Sequence, residues 1–201
     1  QLHQYSLNLY DSLEKETGQN VGLRKVSNIR LAMNQDRMDE YYQYSGVAQT
    51  IGVNFEFVTP ERIKEIWPLA STDGLVGAII HPDDGYIQPA DLTMALATGA
   101  RKMGAEIYRN TSVIGIEQLA SGEWKISTDK GEIICEHVVS ASGNFARKTG
   151  AMVGIDVPVI PVEHQFIVTE PHPKILDRQK KRLPEMGVLR ESDGAWYMRE
   201  E

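Results

Sequence analysis

Apolar residues recur at spacings of three and four from the start of the chain. Leu2, Tyr5, Leu9 and Leu13 form one stripe, which predicts an amphipathic helix stopped by Gly18. Residues 21–34, VGLRKVSNIRLAMN, alternate in the manner of one or two strands, and residues 35–52 read as a helix closed by Gly52. Thr59 followed by Pro60 marks the start of another helix, and residues 75–81, LVGAIIH, form a short apolar strand. That strand runs into the acidic turn DDGYIQP. Beyond it, Leu92, Ala95, Leu96, Gly99, Ala100 and Met103 define the buried stripe of a helix opened by Pro89 and Asp91 and capped by Gly104, with Arg101 and Lys102 in water. The small residues in this stripe predict close approach to a parallel sheet.

The second half changes character. Residues 113–119, 124–128 and 132–135 predict an antiparallel meander with Ser-Gly and Lys-Gly turns. VVSASGNFA then reads as a short strand, a small-residue turn at Ala141, Ser142 and Gly143, and a helix from about Asn144, a local build suited to phosphate or ribose contacts. In VPVIPVEHQFIVTEP, Val162, His164, Phe166 and Val168 alternate with Glu163, Gln165 and Ile167 as a strand of a second sheet would. GAWYMREE alternates once more, which would turn Ala195, Tyr197 and Arg199 to one side.

Composition narrows the function classes. The 201 residues suffice for a sizeable core, and a formal charge of −7 argues against nonspecific binding to nucleic acid or anionic membranes. The basic run RQKKR reads as a solvated face. Cys135 is the only cysteine, so no disulfide forms within the chain and a reducing compartment is the simpler expectation. No run is apolar enough to cross a bilayer, and no signal peptide is evident. His81, Asp83 and Asp84, or Cys135 and His137, fall short of a metal ligand set, so no metal is expected. There is no G-x-S-x-G, and Cys135 in EIICEH reads as a buried strand residue. A helix beginning without an initiator Met and a final strand that runs out predict an internal piece of a longer protein.

The order of these segments carries a resemblance. DGYIQP-ADL with its small-residue helix, the strand NTSVIGI, the meander, VVSASGNFA, IPVEHQFIVTEP and WYMREE together resemble the amino-acid-oxidase-like flavoproteins, and among them the dimethylglycine and sarcosine dehydrogenases. The glycine fingerprint G-x-G-x-x-G that holds the FAD pyrophosphate in this superfamily does not occur here, and neither does the folate-binding domain of many members. The resemblance implies a mixed α/β (α+β) fold. Residues 1–19 and 75–158 would form part of a three-layer β/β/α FAD-binding domain, and residues 20–74 and 159–201 part of a mainly antiparallel substrate domain.

It also implies roles. Val113 would lie against the adenine, and Ala141, Ser142 and Gly143 would let the backbone approach the dinucleotide, although Phe145 stands where Trp is commoner. Gly85 in the acidic turn would lie close to the flavin. His164, Tyr197 and Arg199 would serve the substrate: His164 handling the ammonium proton, Tyr197 positioning the amine or carboxylate, and Arg199 pairing with the carboxylate. Each residue also has a plainer reading: Val113 as core, the 141–143 turn as a connector, His164 as a satisfied core histidine, Tyr197 as sheet packing, Arg199 as a solvated cation and Gly85 as a plain loop residue. The implied activity is FAD-dependent oxidation of an N-methyl C–N bond in a dimethylglycine- or sarcosine-like secondary or tertiary amine. Tetrahydrofolate and an electron acceptor would be partners of the parent enzyme, located in the bacterial cytoplasm or the mitochondrial matrix. The alternatives are a noncatalytic binding module of the same fold, or a glycerol-phosphate or amino-acid oxidase.

Overall fold

The computed structural model describes residues 2–200. The chain divides into two compact units, one of Gln1–Ala105 with Glu170–Glu201 and the other of Glu106–Thr169. This division cuts the chain differently from the boundaries expected from the sequence.

The first unit is organised by a five-stranded sheet in the order β2-β3-β1-β7-β8. β1 (Asn28–Ala32) lies at its centre, antiparallel to β3 (Gly77–His81) and parallel to β7 (Val188–Glu191). β2 (Glu56–Val58) extends β3, and β8 (Trp196–Met198) pairs antiparallel with β7. Of residues 21–34 only β1 is a regular strand, and the apolar strand ending at His81 belongs to this same sheet, because its edges are satisfied by β1 and β2.

Each face of the sheet is covered by a helix whose start is fixed by a polar cap. α2 (Gln35–Thr50) begins where the Asn34 side chain accepts from the Arg37 backbone N–H at 2.8 Å, and α3 (Pro60–Ile66) where Thr59 does the same for Arg62 at 3.5 Å. On the α3 side, Ile63 and Trp67 pack with Ile29, Leu31, Ile80 and Leu189, and the Trp67 indole N–H donates to the Gly187 carbonyl at 2.7 Å. On the α2 side, Met38 and Tyr41 pack on Ala32 and Ile79, and the Tyr41 hydroxyl donates to the Leu31 carbonyl at 3.1 Å.

The two remaining long helices pair with each other. α1 (Leu2–Thr17) is stopped at Gly18, φ +73°, and α4 (Pro89–Lys102) is followed by Gly104, φ +92°. Leu13, Val21 and the fully buried Ala95 form their core, with Leu9 and Leu92 against it. The small-residue stripe therefore meets α1 and not a parallel sheet: a Cβ on Gly99 would lie 3.2 Å from Thr17 Cγ2. Leu96 and Met103, expected inside, stand 45% and 85% exposed because α1 covers only part of the stripe.

The second unit is an antiparallel meander of β4 (Val113–Gln118), β5 (Trp124–Thr128) and β6 (Gly131–Cys135), as the turn signals predict. Cys135 is half-buried. A turn of 3-10 helix at Gly143–Phe145 leads into α5 (Ala146–Ala151). The short strand expected before Ala141 and the alternating strand expected over 162–168 are irregular here. Alternation makes a strand only where a neighbour pairs its backbone, and within this unit the meander pairs only with itself. In the first unit, α6 (Pro173–Lys180) places Ile175 against the core. No helix among the described residues is long and apolar enough to cross a membrane.

Candidate functional site

The acidic turn after β3 is tied into the fold rather than left as a free loop. Arg24 and Tyr86 exchange backbone hydrogen bonds at 2.8 and 3.0 Å, and the Ser27 N–H donates to the Asp84 carbonyl at 2.8 Å. The approach is close enough that a Cβ on Gly85 would sit 1.8 Å from the Arg24 carbonyl oxygen, so only glycine fits. The Asp84 carboxylate accepts from the Gly85 N–H at 2.8 Å and from Asn28 Nδ2 at 3.1 Å, and Asp83 accepts from Asn54 Nδ2 at 2.6 Å. The need for glycine here is thus met inside the chain.

Tyr86 extends the turn toward Arg199. Its hydroxyl donates to Glu185 Oε1, and the Arg199 guanidinium lies over its ring, 4.1 Å from the centroid. Burial, reinforced by the Glu185 carboxylate, pushes the Tyr86 hydroxyl up to about 12, so it remains a donor at neutral pH. Tyr197 in β8 is 67% exposed and sits opposite Arg190 in the register, with that guanidinium 5.8 Å from its ring centroid.

Register places Arg30 directly beside Arg190 on the parallel neighbour, so Arg30, Arg190 and Tyr197 form a row across three strands. His81 pairs with Asn28 on that same face. The residue is 6% exposed, its Nδ1 lies 3.3 Å from the Asn54 carbonyl, and Tyr44 packs edge-on at 5.7 Å between centroids. Burial holds the imidazole below its usual range, and Arg30 lowers it further against the opposing pull of the Asn54 carbonyl and Asp84.

The other expected residues lie in the second unit. Val113 opens β4, 42% exposed. Ala141 is exposed, Ser142 half-buried with its hydroxyl 2.7 Å from that of Ser140, and Gly143 has φ +52° with open space where a Cβ would be. Phe145, 70% exposed, borders a shallow groove with Arg147, Lys148, Val159 and Ile160. His164 is exposed in irregular chain. The fold therefore brings Gly85, Tyr197 and Arg199 into one unit and groups the 141–143 turn in the other. Arg30, Arg190, Tyr86 and His81 were absent from the expected site. The signal for Arg30 and Arg190 was a polar residue inside an otherwise apolar strand, NIRLA and VLRE. Among the described residues no cluster of His, Cys, Asp and Glu could hold a metal ion.

The chain is 38% identical over 200 residues to the mitochondrial dimethylglycine dehydrogenase of Rattus norvegicus, covering all of this chain and 23% of the relative. It is 33% identical over 200 residues to the formaldehyde-forming 4-methylaminobutanoate oxidase of Paenarthrobacter nicotinovorans, again covering all of this chain and 23% of that protein. The solved structure of L-proline dehydrogenase from P. horikoshii superposes with a TM-score of 0.82 at 25% identity, over 98% of this chain and 51% of that one. The chain thus spans about a quarter of the length of these curated relatives. Residues 1–201 match the FAD dependent oxidoreductase family DAO throughout, and the chain belongs to that family.

Proposed function

We propose that the protein carrying this chain is an FAD-dependent dehydrogenase or oxidase of dimethylglycine- or sarcosine-like N-methyl amino acids. The observation that supports this reading most directly is Tyr197, an exposed phenol on the sheet with the Arg190 guanidinium over its ring. An aromatic ring with a polar tip beside a guanidinium group suits a small amine that carries a carboxylate. The named substrates of the two curated relatives, dimethylglycine and 4-methylaminobutanoate, are of that kind.

The residues of the second unit fit the cofactor. The backbone at Gly143 is open where a side chain would block it, Phe145, Val159 and Ile160 offer an apolar rim, and Lys148 supplies positive charge, while Arg147 pairs with Asp156. Ala141, Ser142 and Gly143 would hold part of FAD, with Val113 against the adenine. Bound FAD would supply the acceptor for the hydride of the N-methyl carbon. The substrate is left as an iminium, and water adds to it to release the demethylated amine and formaldehyde, or tetrahydrofolate captures the one-carbon unit. An electron acceptor would be a further partner of the complete protein.

The protein's own part is to bind and to move a proton. Only the neutral amine releases hydride readily, so the ammonium proton must leave first, and His164 takes it. Tyr197 orients the amine, and an arginine pairs with the carboxylate. The test is anaerobic bleaching of the visible flavin band of the complete flavoprotein by dimethylglycine and by sarcosine. Bleaching by either, slowed at least roughly tenfold by His164→Ala or Tyr197→Phe, is expected. No bleaching by either amine overturns the reading.

A further inference from the structure

Two arginines stand at directly paired positions of neighbouring strands, Arg30 on β1 and Arg190 on β7. Like charges so placed repel, and a sheet ordinarily separates them or sets an acid between them. Here neither arginine makes an ion pair among the described residues. Arg190 has the face of Tyr197 for company, while Arg30 keeps its Nε buried without a hydrogen-bond partner.

The unmet hydrogen-bonding capacity is concentrated on this face. Of five buried side-chain atoms left without a partner among the described residues, Asn28 Oδ1, Arg30 Nε and His81 Nε2 belong to it. Asp84, the acid beside Asn28, is occupied by Asn28 Nδ2 and the Gly85 N–H and does not pair with either arginine. Burial holds His81 toward the neutral form, so it adds no third positive charge. An unpaired guanidinium with a buried donor costs free energy unless something arrives to pair with it. Its natural complement is a planar anion that can span two guanidinium groups.

Arg199 is differently placed. Its guanidinium lies on Tyr86, and Tyr86 is held by Glu185, so the cation and its aromatic support are built into the join between the acidic turn and the end of β8.

We propose that Arg30 and Arg190 form the subsite that takes the carboxylate of the substrate, beside Tyr197 in the same row, and that Arg199 is a positioning residue for the turn and strand around it. This rests on the reading of the protein as an N-methyl amino acid oxidoreductase. It assigns the recognition of the acid end to a pair of residues on β1 and β7 and leaves the amine end to Tyr197.

The experiment uses the complete flavoprotein and two ligands. Methoxyacetate, a carboxylate without the amine, reports anion binding through the dissociation constant measured by calorimetry. Dimethylglycine and its neutral amide report the same interaction through the ratio of their kcat/KM values. Arg30→Gln and Arg190→Gln are each expected to weaken methoxyacetate roughly tenfold and to shrink the preference for dimethylglycine over its amide by a similar factor. Arg190→Lys, which keeps the charge, is expected to recover part of the loss. A merely structural role for these arginines would depress both substrates alike and leave their ratio unchanged. Arg190 is exposed on its strand, so its variants carry the test even if the half-buried Arg30 tolerates no change.

Unchanged methoxyacetate affinity in both glutamine variants overturns the proposal, as does selective loss in Arg199→Gln alone, which would hand the carboxylate to Arg199. If the wild-type flavin is bleached by no N-methyl amine while methoxyacetate binds and depends on Arg30 and Arg190, the substrate reading falls and the anion subsite stands. Failure of methoxyacetate to bind the wild type overturns the subsite itself.

Discussion

One face of the five-stranded sheet has two halves, and they are built on opposite principles. Under α2, Ala32 and Ile79 are fully buried against Met38 and Tyr41, and the one polar tip among them, the Tyr41 hydroxyl, finds the Leu31 carbonyl. Beside it, Asn28, Arg30, Arg190 and Tyr197 present charge and hydrogen-bonding groups, with Asn28 Oδ1 and the Arg30 Nε unsatisfied. The same backbone supports both. The first half yields stability from apolar burial, while the second forgoes it to keep groups ready for a ligand, the usual relation between a scaffold and a site built on it.

That contrast can be broken most forcefully from the apolar side. Ile79→Ala leaves a cavity beneath α2 and is expected to cost about 3 kcal/mol of unfolding free energy, read as a lower urea midpoint. A shift no larger than that of a surface substitution would remove the apolar half as the source of stability. Asn34→Ala deletes the cap that starts α2 and is expected to cost about 1 kcal/mol by the same measurement.

The polar half should answer to pH and to charge instead. His81 sits at its rim with a folded pKa lowered from 6.5 by burial. The unfolded chain therefore binds the proton more tightly than the folded one. His81 imposes no such penalty above about pH 6.5, and stability falls as the pH drops from there toward the lowered folded value. His81→Asn is expected to flatten that part of the stability profile, measured by urea titrations between neutral and mildly acidic pH. A slope that survives the substitution belongs to another group. The smallest effect on stability is expected at Arg30→Gln, within about 0.5 kcal/mol of wild type or slightly stabilising, because it relieves repulsion from Arg190. A loss as large as that of Ile79→Ala would make Arg30 part of the scaffold.

The sequence was most readable where one residue sets local geometry. Pro89 and Gly104 bracket α4, Thr59 and Pro60 open α3, and Gly122 and Gly131, at φ +91° and +148°, turn the meander. These need only neighbours along the chain. The partner of a strand is another matter, since LVGAIIH carries no mark of whether it joins a parallel core or lies between β2 and β1. The same limit hid the helix packed on Ala95 and Gly99, which is α1. It also hid the arginine row, because Arg30 and Arg190 are 160 residues apart and meet only through register. Alternation over 162–168 misled for the opposite reason: the pattern was present and no strand in its unit pairs with it. Gly85 was noticed as a residue of the acidic turn, but its closest neighbour, the Arg24 carbonyl, is a feature of the backbone and carries no sequence signal.

The parallel pairing of β1 with β7 has a consequence for how the protein is made. During synthesis β1, β2 and β3 emerge early, and the whole of Glu106–Thr169 must follow before Val188–Glu191 can close the open edge of β1. Until then the ribosome-bound chain displays an unpaired strand edge with Arg30 upon it. A positive charge on such an edge discourages pairing with other chains. The residue proposed to receive a carboxylate in the finished enzyme would thus act earlier as a gatekeeper against misassembly.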